Sequence, residues 1–81
     1  MPTPEIYMEP GWKKYGLKTV MGRFGEAAEA ESIDNNNLVY RYLEAHPGIT
    51  LMWYVKDNHR REDWELRYGE ILGRARAEHG Y

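Results

Sequence analysis

No cysteine occurs anywhere in the 81 residues. That absence removes disulfides, Cys-ligated zinc, iron–sulfur ligation and thiol nucleophiles together, and it leads to the expectation of an intracellular chain rather than a stapled secreted miniprotein. Long apolar runs are missing as well. The longest, Ile49–Val55, spans seven residues with Thr50 among them, whereas a membrane-crossing helix needs about 20, so no membrane span is expected. Charge of one sign is also in short supply: the formal net charge is −2 and the pI about 5.9. A non-specific nucleic-acid coat requires a large positive excess, and an acidic DNA mimic a large negative one; neither is present. The first arginine is Arg23, and Glu5 and Glu9 precede it, which fits neither a secretory signal nor an Arg-rich transit peptide.

What the chain does have is aromatics: three tryptophans, seven tyrosines and one phenylalanine. A domain of this length buries only about 60–65% of the surface its unfolded chain exposes, so it cannot easily enclose so many rings. Tyr and Trp have an apolar body with a polar tip, and they are enriched where one protein grips another. The aromatic excess therefore points to a binding surface, set against the plainer reading that most of the rings form the core.

One domain over residues 1–81 is expected, with an extended arm and a helical body. Residues 2–12, PTPEIYMEPGW, hold three of the four prolines, and proline fixes φ and removes a donor, so this arm is not a helix interior. Ile6, Tyr7, Met8 and Trp12 make it apolar enough to dock. Over 13–31, Leu17, Val20, Met21, Phe24, Ala27 and Ala28 recur at helical spacing. Gly16, Gly22 and Gly25 weaken that helix, either as plain defects or as points where another backbone approaches closely. Ser32–Asn37 reads as a break. A short helix through Leu38, Val39, Tyr42 and Leu43 follows, capped by an asparagine and stopped at His46-Pro47-Gly48. Residues 49–56 stay open. The alternation of Ile49, Leu51, Trp53 and Val55 reads as a strand of a hairpin over 38–56, while Thr50 fits the cap of a helix. From about Arg60 to Glu78, Trp64, Tyr68, Ile71, Leu72 and Ala75 form an amphipathic stripe ended by Gly80. The fold class expected is mainly α, a small three- to four-helix domain with an extended N-terminal arm; the alternative is α+β with a β-hairpin at 38–56.

Chemistry-bearing constellations are sparse. His59 and Asp63 are four apart with Glu62 beside Asp63, but two ligands do not make a metal site. Ser32, the one serine, sits beside Asp34 where both are explained as caps. Adjacent carboxylates such as Glu62 and Asp63 point away from each other on a helix, so they do not form an acid/base pair. Gly22 and Gly25 lie inside a helical pattern rather than between a strand and a helix, which is the context a phosphate loop requires. No enzymatic activity, metal or cofactor is expected. Tyr7, in EIYMEP, has the flanks of a phosphotyrosine-type motif, a pattern short enough to arise by chance.

The stretch Leu38–Glu78, with YLEAHPGIT at its start, resembles the helix, Pro-Gly turn and Thr-capped helix of helix-turn-helix domains. That resemblance implies a third helix in the major groove carrying Arg60, Arg61 and Arg67. The same helix carries Glu62, Asp63, Glu65 and Glu70, which face phosphates badly. The leading expectation is a non-enzymatic protein-binding protein, an accessory subunit of a larger assembly or an inhibitor of a protein target. Ile6, Tyr7, Met8 and Trp12 are its first contact candidates and Trp53 and Tyr54 its second. A helix-turn-helix-like DNA-binding regulator is the alternative.

Overall fold

The computed structural model describes residues 11–28, 32–56 and 58–80. They form four α-helices, and no β-strand occurs among them. Helix α1 is Trp12–Ala28, α2 is Ile33–Ala45, α3 is Pro47–Val55 and α4 is Arg61–Glu78.

Helix α1 starts at Gly11, whose φ of 88° lies in the left-handed region that glycine enters without a steric penalty. The Gly11 carbonyl accepts from the N–H groups of Lys14 and Tyr15 at 3.0 and 2.9 Å. The expected break at Ser32–Asn37 is shorter than the composition suggests. Ser32 itself caps α2, its Oγ accepting from the Asn35 N–H at 3.1 Å, and the three asparagines that follow are already helical. They are tolerated in the first turns because Asn35 and Asn36 spend their side-chain oxygens on Arg76 and Tyr68 of α4 rather than on their own backbone.

The hairpin alternative over 38–56 does not form. His46 closes α2 and opens α3, so one residue joins the two helices. Its N–H donates to the Tyr42 carbonyl at 2.9 Å, and its own carbonyl accepts from Ile49 and Thr50 at 3.1 and 3.3 Å. Pro47 occupies the first helical position, where its missing N–H costs nothing. Thr50 is inside α3 rather than at its cap. Its Oγ1 donates to the Leu43 carbonyl at 2.7 Å, satisfying one of the carbonyls that the end of α2 leaves without an intrahelical donor.

Helix α4 opens on Arg60, whose N–H donates to Oδ2 of Asp63 at 3.0 Å. Glu62 and Asp63 in its first turn and Arg76 in its last complement the helix dipole. Gly80, with φ 76°, ends it.

The amphipathic faces read from the sequence meet in one core. Leu17, Val20, Phe24 and Ala27 of α1 pack with Leu38, Val39, Tyr42 and Leu43 of α2, Trp53 of α3, and Trp64, Tyr68, Ile71 and Ala75 of α4. Phe24 is 0% exposed and lies at its centre. Its ring centroid is 5.0 Å from Trp64, 5.9 Å from Tyr68 and 6.2 Å from Trp53, with the first two pairs edge-to-face, an arrangement that aromatic quadrupoles favour. Among the described residues no helix is long and apolar enough to cross a membrane.

Candidate functional site

The residues read as contact candidates divide into two groups: Trp12 and Tyr54 at Gly16, and Trp53 with His59 and Trp64. The first is at the start of α1. Gly16 is buried there, and a methyl group on it would sit 3.1 Å from Cε3 of Trp12 and 3.4 Å from Cγ of Tyr54. Trp12 and Tyr54, 42 positions apart in the sequence, are thereby brought to one point by the absence of a single side chain. Close approach explains this glycine, with side chains rather than a backbone as the neighbours. It does not explain Gly22 and Gly25, where nothing lies within 4 Å. Trp12 is buried and Tyr54 half-buried. Tyr15, one helical turn from Trp12 and next to Gly16, is 69% exposed. Ile6, Tyr7 and Met8 lie outside the described residues.

The second group gathers where α3, the segment before α4, and α4 itself meet. Trp53 is 5% exposed and belongs to the core cluster, so its ring is buried within the domain rather than offered at its surface. His59 stacks on it with centroids 3.6 Å apart and planes 23° from parallel, and meets Trp64 edge-on at 5.5 Å. The Arg67 guanidinium lies 5.2 Å from the Trp53 ring centroid, within cation–π range. Shallow grooves flank His59. One is lined by Arg23, Glu26, Ala27, Arg61 and Trp64, the other by Trp53, Asp63, Leu66, Arg67 and Glu70. Leu66 stands out from the second groove at 67% exposure.

The arginines of the DNA-binding reading are mostly engaged. Arg61 Nε pairs with Glu65 Oε1 at 3.3 Å and Arg67 Nη1 with Glu70 Oε2 at 3.0 Å, while Arg60 is exposed at the start of the helix. These are the glutamates that the sequence places one turn away, so the positive charge of this helix is largely offset on its own surface. His59 and Asp63 line the same groove, but among the described residues no group of three or more His, Asp or Glu side chains is arranged to hold a metal ion.

The sequence marks His59 as a turn residue before the last helix and as one half of a two-ligand pair, and carries no signal of its stacking role. Trp53 and Trp64 lie six before and five after it, and no local periodicity links the three. Arg41 and Arg76 carry no sequence signal of a shared site, Arg76 being read only as a cation suited to the end of its helix; both are exposed, on two different helices. The chain matches no protein-family model, no curated protein and no solved structure.

Proposed function

We propose that this chain is a small, non-enzymatic protein-binding protein of the cell interior, an accessory subunit of a larger assembly or an inhibitor of a protein target. Its contact surface is centred on the aromatic corner at the start of α1. The observation that carries the reading is the placement of Tyr15: a large ring 69% exposed, one helical turn from Trp12 and next in sequence to Gly16, against which Trp12 and Tyr54 pack. Tyr and Trp on a rigid support lose little conformational entropy on binding and supply much of the energy of protein interfaces. Trp12 and Tyr54, anchored by their neighbours, give the corner that rigidity.

The test is co-purification from native lysate with the tagged full chain, a chain lacking residues 1–10, and Tyr15→Asp, each with and without nuclease. The expected outcome is a defined protein partner at fixed ratio that survives nuclease and is lost from both variants, while their helical circular dichroism is unchanged. Partners lost on nuclease treatment would favour the helix-turn-helix-like regulator instead. That alternative predicts that Arg60→Ala and Arg67→Ala weaken DNA binding, yet Arg67 is already occupied by Glu70 and Trp53.

A further inference from the structure

Two arginines from different helices share one cleft. Arg41 of α2 and Arg76 in the last turn of α4 line a cavity of about 420 Å³ together with Asp34, Asn35, Asn37 and Leu38. Nη2 of Arg76 donates to Oδ1 of Asn35 at 2.9 Å, a neutral partner that fixes the guanidinium without cancelling its charge. Arg41 is exposed, and among the described residues neither arginine has a carboxylate within ion-pair distance. This sets them apart from Arg61 and Arg67, each paired with a glutamate of its own helix. The third charged group lining the cleft, Asp34, leaves it with two cations against one carboxylate, a net charge of +1.

We infer that this cleft binds one carboxylate, the Asp or Glu side chain of a segment of a protein partner. A guanidinium presents a planar fork of donors that matches a carboxylate and holds it by two parallel hydrogen bonds. With Arg76 tethered to Asn35, part of that geometry is set before the ligand arrives. The Asn37 amide adds donors, and Leu38, buried under the cleft, offers an apolar floor for the methylene groups of the acidic side chain. One net positive charge matches a monoanion. A nucleic-acid strand would need a track of cations spanning several phosphates, and here Asp34 interrupts the lining.

The inference relies on the protein-binding reading only for the source of the carboxylate, so its test uses the isolated full chain. The 15N-labelled protein is titrated with an acetylated, amidated tripeptide containing one glutamate, with its glutamine counterpart, and with a short oligothymidylate. The side-chain resonances of Arg41, Arg76, Asn35 and Asn37 are followed by NMR. The glutamate peptide is expected to shift these resonances saturably, and the glutamine peptide to bind about tenfold more weakly, because it loses the charge-assisted pair of hydrogen bonds. R41Q and R76Q should show the same loss with the amide spectrum still dispersed. Should either lose its fold, R41K and R76K replace them, keeping the charge and removing the fork, and weakened binding is again expected. Equal shifts from both peptides, shifts elsewhere on the surface, no shift at all, or tighter binding of the oligonucleotide each overturn the inference. A null titration alongside an intact, arm-dependent complex overturns the cleft alone. A positive titration with no complex overturns the corner as an interface and leaves the cleft standing.

Discussion

The imidazole of His59 lies flat on the indole of Trp53, with ring centroids 3.6 Å apart. Because His59 also meets Trp64 edge-on, it closes the end of the aromatic cluster whose centre is Phe24 and fixes the chain where it turns from α3 toward α4. Aromatic pairs of this kind contribute about 0.5–1.5 kcal/mol beyond their buried area. His59→Ala is therefore expected to lower stability by about 1–2 kcal/mol, and His59→Phe, which keeps a ring for stacking, to recover most of it. Urea titrations followed by tryptophan fluorescence test this. A midpoint for His59→Ala equal to that of the parent chain would mean that the stack is incidental.

The glycines of α1 separate by environment. At Gly22 a methyl group meets nothing within 4 Å, so Gly22→Ala gains helix propensity without a steric penalty and should stabilise the fold by about 0.5–1 kcal/mol. At Gly16 the same methyl presses on Trp12 at 3.1 Å, tighter than an ordinary van der Waals contact. Gly16→Ala is expected to forfeit that gain and to shift the emission of Trp12 by displacing its ring. Thermal melts of both variants settle the matter: equal stabilisation at the two positions would show that the contact at Gly16 yields freely.

How far the sequence reveals the fold depends on how local each determinant is. The stripe Trp64, Tyr68, Ile71 and Ala75 is buried as its spacing predicts, because a helix long enough to repeat its period several times declares its inward face. Helix α3, with 9 residues, completes too few turns to do so, and its alternating apolar residues fit a strand equally well. What decides in favour of helix is Pro47 at the first position together with Thr50 reaching back to Leu43, a contact across a helix boundary. The candidate surfaces are less legible still. The Arg76–Asn35 contact spans 41 positions, and the meeting of Trp12 with Tyr54 depends on how α1 and α3 cross at Gly16. No window of neighbouring residues encodes either.

Thr50 gives a sharp test of that boundary. It is 2% exposed, and its hydroxyl serves a carbonyl at the end of α2 that has no intrahelical donor. Thr50→Val preserves shape and removes the donor, leaving the buried Leu43 carbonyl without that bond at a cost of about 1–3 kcal/mol. Equilibrium denaturation should show a lowered midpoint with an unchanged slope. An unchanged or raised midpoint would indicate that water or a shifted backbone serves the Leu43 carbonyl equally well.

The hydrogen bond from the Tyr68 hydroxyl to Oδ1 of Asn36, at 2.6 Å, joins the first turns of α2 to the middle of α4 and accounts for an asparagine inside a helix. Tyr68 is buried and its ring belongs to the core, so Tyr68→Phe keeps the packing and removes only the donor, while Asn36→Ala removes the acceptor. If the two groups depend on each other, the double variant loses less stability than the two single losses combined, with a coupling of about 0.5–1.5 kcal/mol. The Ala substitution also raises the helix propensity of α2, but that gain occurs equally in both backgrounds of the cycle and cancels from the coupling. Strictly additive losses would reduce the bond to a consequence of packing and leave Ser32 alone to start the helix.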